Sequence, residues 1–423
     1  MNSNFKVKSF LGFTLFWLIF LNCYLIVNPN STSISLSKGL GFIPRSSTVN
    51  TMWNFSYGTN FYDSALSSNG KYVAAGFDNR IFLLNATNKQ EFWRATLSDT
   101  IFSIAISEDG FYILVGCSNG DLYLFNNTLS SPKTEIWSTN LGSTYVYQVA
   151  ITPNGTYITA ICGFDVFFLH KDSAIPLWNY TTGDSLAVVS ISPNGNYVAT
   201  GGWERVLYVF NKTSSSSKTP MWNKTVSNGV WGMKFSSDEQ ILAVCGGYSL
   251  YIYNPINSYQ IWEYFTGNDV LSLDLSADRR YLAASNDDGK FFLFNINTKS
   301  LLWEYNSYLR ADTIAISSDG SFIAAGSNND QIYLFNKLSN ATKKPLWNYT
   351  TGGDIFTVAI SSNGRYILTG SGDNYIYLFY NDEPLPYEPT QGGISYGFYL
   401  LTITFSTILI ISLRKSKYLK PCS

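Results

Sequence analysis

A tryptophan recurs along the chain at Trp53, Trp93, Trp137, Trp178, Trp222, Trp262, Trp303 and Trp347, at spacings of 40, 44, 41, 44, 40, 41 and 44 residues. Few architectures repeat with that period, and the residues between the landmarks decide among them. Each Trp opens a short run and is followed by a second run that ends in Ser or Thr, as in Ala105-Ile106-Ser107 and Ala359-Ile360-Ser361. A turn comes next (Ser67–Gly70, Thr152–Gly155, Ser192–Gly195, Ser317–Gly320), then a run such as Tyr197–Thr200, and last an aromatic run such as Ile332–Phe335. β-Branched and aromatic runs bounded by Gly, Asn, Asp and Ser predict strands. No segment carries a 3.6-residue apolar period, which excludes helical solenoids. Four strands in about 40 to 45 residues predict one blade of a β-propeller.

The strand count fixes the number of blades. Eight Trp-led strands match eight sets of the other three, but the first unit begins with a Trp strand and the last ends without one. Closure follows if the Trp53 strand completes the blade built from residues 355–380. The expected fold is all-β, an eight-bladed ring of four-stranded antiparallel blades over residues 51–381, with a hydrophobic helix at each chain end. Such a ring leaves no free strand edge.

On these residues, the stretch 53–380 resembles the WD-repeat and quinoprotein-like propellers. It departs from the WD pattern in lacking the Trp-Asp dipeptide: the third strand ends in Phe125-Asn126, Phe294-Asn295 or Phe335-Asn336. The Gly-His pair is missing too, since the single histidine is His170. The run Leu293–Trp303 is similar to the tryptophan-docking motif of quinoprotein propellers. Quinoprotein enzymes carry a vicinal disulfide and calcium-binding acids with the quinone, and no two cysteines are adjacent here. The resemblance therefore implies a propeller scaffold without the quinone, and neither a cofactor nor a metal is expected.

Apolar runs flank the ring. Phe10 to Val27, behind Lys6 and Lys8, spans 18 residues, longer than the about 7–15 of a usual signal core. Residues 1–27 are a signal peptide or an uncleaved N-terminal membrane anchor, followed by a stem over 28–50. Residues 382–395, with Pro384, Pro386 and Pro389, read as a second stem, and residues 396–413 as a transmembrane helix of 18 residues. The tail 414–423 carries Arg414, Lys415, Lys417 and Lys420. The positive-inside rule makes it cytoplasmic, which places the propeller on the extracytoplasmic side of the cell membrane.

Sequons and cysteines bear on that location. Asn-x-Ser/Thr occurs at Asn30, Asn54, Asn85, Asn126, Asn154, Asn179, Asn211, Asn223, Asn340 and Asn348, the candidate N-glycosylation sites. In the propeller frame, Asn85, Asn126, Asn154, Asn211 and Asn340 belong to the bottom face. Asn54, Asn179, Asn223 and Asn348 follow a Trp on the outermost strand. None falls in the loops of the top face. Cys117, Cys162 and Cys245 share one repeat position in different blades, too far apart for a disulfide, and are expected as buried thiols.

Composition and motifs limit the chemistry. With 28 basic and 29 acidic residues the net charge is −1, and nothing suggests the basic face that nucleic-acid binding needs. A single histidine excludes His-cluster metal sites, and His170 is expected to be structural. No Cys-x-x-Cys, Gly-x-Ser-x-Gly or phosphate-cradling Gly-Lys-Ser/Thr motif occurs, so an enzyme is not expected.

What remains is a surface. Five residues before the Ser/Thr that ends each innermost strand stand Tyr62, Phe102, Tyr147, Ala187, Trp231, Leu271, Asp312 and Phe356. The five aromatics could ring the channel mouth on the top face and anchor a partner. They share parity with the apolar stripe (Val358, Ile360), so strict alternation would instead make them an extension of the interblade core. A second set, Asp78, Asp121, Asp165, Glu204, Asp287, Asp288, Asp330 and Asp373, falls at the turn between second and third strands. It offers either a negative rim for cations or a basic peptide, or the turn chemistry for which Asp is favoured. Lys234 and Asp274 replace a small residue at one inner position of neighbouring blades, as an interblade ion pair would. The expected function is a membrane-anchored binding scaffold that takes a protein, peptide or glycan through its top face. An exported enzyme or assembly factor, or a structural cell-surface protein, is the alternative.

Overall fold

The computed structural model describes residues 51–386 except 130–131, 214–217 and 339–342. The two apolar runs, the first stem, Asn30, Asn340 and the basic tail lie outside the described residues. No helix among the described residues is long and apolar enough to cross a membrane.

Among the described residues thirty-two strands form eight four-stranded antiparallel sheets. In seven of them four consecutive strands pair in chain order from the channel outward. Blade one, for instance, holds Phe61–Leu66, Tyr72–Phe77, Arg80–Asn85 and Glu91–Thr96. In the eighth, Ile355–Ile360, Tyr366–Ser371 and Ile376–Tyr380 take their outer strand from the other end of the chain. Thr51–Phe55 pairs with Ile376–Tyr380, setting Trp53 opposite Leu378 and Phe55 opposite Ile376.

The core lies between blades. Eight apolar clusters each join two neighbours, as Leu114, Leu122 and Leu124 of blade two meet Val146, Val149 and Ile158 of blade three. Second and third strands are buried on both faces, which explains their near-continuous apolar runs such as Leu242–Gly246 and Ser249–Tyr253. Small residues in the second strand let blades approach: a Cβ on Gly326 would lie 2.3 Å from Ile355 of the next blade.

The Ser/Thr turns are hydrogen-bonded units. The Ser67 hydroxyl donates to Asn69 Oδ1 (2.7 Å) and accepts from the Tyr72 amide (3.0 Å), and Ser107, Thr152 and Ser317 repeat the arrangement. The glycine that follows serves two ends at once. Gly155 has φ of 72°, and a Cβ there would lie 2.1 Å from the Tyr112 ring of the preceding blade.

The landmark tryptophans dock on the next blade in two ways. Trp53, Trp137 and Trp222 donate their indole N–H to the carbonyls of Ala86, Lys171 and Pro255, each at 2.7 Å. Trp93, Trp178 and Trp303 make no such bond and are instead roofed by Lys133, Lys218 and Lys343, whose ammonium groups lie 5.0, 4.7 and 4.8 Å from the ring centroids. These three open the intervals of 44 residues, so the longer loop delivers a lysine four positions before the next Trp.

Candidate interaction surface at the channel mouth

A recurrent β-bulge determines where the predicted aromatics point. In blade one Phe61 pairs with Phe77 and Asp63 with Gly76, leaving Tyr62 as the extra residue of the inner strand. The same shift leaves Phe102, Tyr147, Ala187, Trp231, Leu271 and Phe356 unpaired in blades two to six and eight. A bulge breaks the period of two and re-aims the side chain it inserts. The residue before it takes over the core side: Phe61, Ile101, Val146, Val230 and Ile355 are buried. Strict alternation would place the predicted set in the interblade core, and the bulge corrects that expectation. Tyr147 and Phe356 are 49% and 50% exposed, while Tyr62 and Phe102 are half-buried. Trp231 is half-buried as well, packing over the core between blades five and six. Asp312 precedes the short inner strand Thr313–Ile316 of blade seven, where the bulge is absent.

The aromatics gather in pairs and threes rather than in a continuous ring. Phe102 stacks on Tyr145 (centroids 5.1 Å apart) and meets Tyr147 at 5.7 Å, bridging blades two and three. Trp231 meets Trp203 edge-on at 4.6 Å, bridging blades four and five. Tyr145, Phe164 and Trp203 stand on loops of the same face and are exposed, outside the sequence-predicted set. Trp203 carried a signal, since it and Trp231 stand off the 40–44-residue period.

Half of the second set, four of the eight, works as staples. The Asp121 carboxylate accepts bonds from Ser98 Oγ (2.6 Å), Asn119 Nδ2 and Asn140 Nδ2 (both 2.8 Å), tying its turn to the neighbouring loop. Burial opposes its ionisation, but these donors outweigh burial and hold it below the usual range. Asp165 accepts from Thr181, Glu204 from the Gly183 amide and Asp373 from the Gly352 amide. For these residues the turn role is what the geometry shows. His170 packs edge-on against Tyr157 and accepts from the Asp172 amide (3.4 Å).

Below the mouth, the channel wall carries a relay between blades. Asp63 Oδ2 accepts from the Ile104 amide (2.7 Å), Ser103 Oγ from Val149 (3.1 Å), and Gln148 Oε1 from Val189 (2.6 Å). Burial pushes the Asp63 carboxyl up to about 7, against the Ile104 and Ser64 amides that favour its charge. A carboxyl that binds its proton more tightly folded than unfolded adds stability below its unfolded value, and this is lost as pH rises through the folded one. In thermal denaturation the stability of wild type relative to Asp63→Asn is therefore expected to fall by a few kcal/mol as pH rises from about 4 to about 8. A difference that does not vary with pH would refute this. Deeper still, Lys234 Nζ lies 3.4 Å from Asp274 Oδ1, and Asp274 Oδ2 accepts from the Ile316 amide, joining blades five, six and seven. The pair lines a cavity of about 340 Å³ at the bottom mouth, with Ile106, Ile151 and Phe235.

Cys117, Cys162 and Cys245 are free and buried, and burial pushes the Cys117 and Cys245 thiols up to about 12. The sequons divide by structure. Asn85, Asn126, Asn154 and Asn211 each close their own turn by accepting from the amide two residues on. Asn54, Asn179, Asn223 and Asn348 are exposed on outer strands. Among the described residues no group of His, Cys, Asp and Glu is placed to hold a metal ion.

The model of the WD domain, G-beta repeat, matches residues 176–211, 259–295 and 343–379. Each match begins at or just before an outer strand and runs through the inner, second and third strands that follow, the register in which the landmark Trp opens a repeat. Three of its repeats match the WD repeat, and the ring as a whole is an eight-bladed β-propeller. Its fold is similar to that of Sqt1 from Chaetomium thermophilum bound to the N-terminus of the ribosomal protein L10. That likeness has a TM-score of 0.67 at 13% identity and covers 79% of this chain and 100% of that one. The C-terminal WD40 domain of Sif2 is similar with a TM-score of 0.69 at 18% identity, covering 79% and 99%. A computationally designed protein, Ika8, gives 0.65 at 12%, covering 77% and 98%. No curated protein matches by sequence. In this propeller the bulges and their aromatics occupy the mouth of the channel, while the landmark tryptophans sit at the rim.

Proposed function

We propose that this WD-repeat propeller is a membrane-anchored, extracytoplasmic scaffold that binds a protein or peptide segment through its top face. One observation carries the reading: aromatic side chains released from the core by the bulges lie partly exposed around one channel mouth. Rigid aromatics on a fixed frame give large contact area at low entropy cost. Sqt1, similar in fold, is bound to a protein N-terminus, which supports a peptide over a glycan. Strand direction supports the orientation, since both chain ends leave from the bottom face: Thr51 starts an outer strand there and Tyr380 ends a third strand there. The apolar runs 10–27 and 396–413 and the Lys/Arg tail support the anchoring.

The test of binding is Phe102→Ala/Tyr147→Ala/Phe356→Ala in the full chain, leaving Trp231 because it covers core. The expected result is loss of cross-linked partners with a melting temperature unchanged within about 2 °C, the shift of roughly 1 kcal/mol at most. Retained partners would refute the reading. The test of location is glycosidase treatment: a mass shift mapping to Asn54, Asn179, Asn223 or Asn348 is expected, and an unmodified chain from a glycosylating host would count against export.

A further inference from the structure

The overall charge of −1 conceals a division between the two faces. On the loops of the top face acidic residues outnumber basic ones by eleven to two, the two being Arg205 and Arg310. On the bottom turns and loops within the ring Lys and Arg outnumber Asp and Glu by thirteen to eight. The top face is itself divided. Its paired aromatics span blades two to five, with Phe102, Tyr145, Tyr147, Phe164, Trp203 and Trp231, while Tyr308, Phe356 and Tyr375 stand exposed on blades seven and eight. Its acidic half spans blades six to eight, with Asp287, Asp288, Asp312, Asp330, Asp354 and Asp373. Arg310 is held there between Asp312 and Asp287 (3.5 Å), and among the described residues no ion pair neutralises Asp330, Asp354 or Asp373. Burial, with the neighbouring Asp330 and Asp312 carboxylates, holds the Asp354 carboxyl above its ordinary range, the mark of like charges crowded across blades seven and eight.

We infer that the top face takes a positively charged segment of a partner protein, with Lys and Arg over the acidic loops of blades six to eight and apolar side chains among the aromatics of blades two to five. This rests on the top-face reading above and adds the chemistry of the partner. Charge complementarity decides the class. A cationic segment relieves the crowding of carboxylates and is steered to this face, whereas an anionic lipid surface or nucleic acid is repelled by it. The aromatics add apolar anchorage and cation–π contacts to the same segment. Turn chemistry alone does not account for the acidic half, because Asp312 and Asp354 lie in loops between blades, outside the tight turns that Asp121, Asp165 and Asp373 staple.

The experiment uses the full chain in detergent and two fluorescent synthetic peptides, one joining a Lys/Arg run to a Trp/Leu run, the other with Asp and Glu replacing the basic residues. Anisotropy is expected to show the basic peptide binding about tenfold or more tightly than the acidic one, and weakening as salt rises. Asp312→Asn/Asp330→Asn/Asp354→Asn should cost about tenfold and flatten the salt dependence, while Asp278→Asn on the bottom face changes nothing. Equal binding of both peptides, or an unchanged triple variant of unaltered melting temperature, overturns the inference. If the triple variant melts early, Asp330→Asn alone carries the same comparison. A cross-linked partner that is lost from the aromatic variant but kept by the triple Asn variant sinks the cationic partner and leaves the top-face reading standing. Partners kept by both variants sink the two together.

Discussion

Replacing Trp53 and Phe55 together by Ala is expected to lower stability by about 4–6 kcal/mol and the melting temperature by about 10 °C or more. Among the described residues the strand Thr51–Phe55 is the only outer strand supplied from the opposite end of the chain, and these two side chains hold it. Phe55 packs edge-on against Phe77 and Phe82 of blade one, with centroids at 5.7 and 5.3 Å, and Lys89 lies over its ring. Trp53 reaches the same blade through its bond to the Ala86 carbonyl. The substitutions therefore remove the outer part of the contact between blades eight and one, leaving the inner part around Phe61 and Leu368. Thr51→Ala on the same strand is the control and should stay within about 0.5 kcal/mol. A double variant that melts within about 2 °C of wild type would mean that the ring does not depend on this closure.

Lys343→Met is expected to cost about 3 kcal/mol, a large effect for a residue in a surface loop. The Lys343 ammonium donates to Asn336 O (2.6 Å), Asn336 Oδ1 (3.0 Å) and Leu338 O (2.9 Å) while lying over Trp303. Methionine keeps the stem but takes the ammonium donor from all three oxygens, of which Asn336 Oδ1 keeps the Leu338 amide. The effect should vary with pH. Burial pulls the Lys343 ammonium down to about 8, so the folded chain binds this proton less tightly than the unfolded one. Stability relative to the Met variant then rises as pH climbs from about 8 toward the ordinary lysine value of about 10.4. Chemical denaturation at pH 7 and pH 9.5 reads both effects. Lys344→Met, one position on and exposed, should be silent. Equal losses at the two residues would mean that the oxygen cage contributes nothing.

The ring was legible in the sequence because its determinants are local and repeated. The Trp period, the Ser/Thr turns and the runs of period two each recur eight times, and the surplus Trp strand at the start gave the closure. Lys234 with Asp274 was legible for the opposite reason, as two departures from a small-residue layer. The direction of the aromatics at the mouth was not, because one inserted residue reverses every inference from parity and leaves no mark in composition. The lysine roofs were missed although the spacings of 44 and a Lys four positions before Trp137, Trp222 and Trp347 announced them. The two-sided surface escaped a chain-wide charge count because the faces nearly cancel.

The bulge also separates two demands on the same strand. Its extra residue has no ladder partner, and the neighbour before it fills the core, so the blade closes whether that place holds Tyr62, Ala187, Leu271 or Phe356. Six positions around one opening, Trp231 excepted because it covers core, can therefore be rewritten with little penalty to folding. For selection or for a combinatorial library, the mouth of this ring is a set of independent dials mounted on a frame that does not register how they are turned.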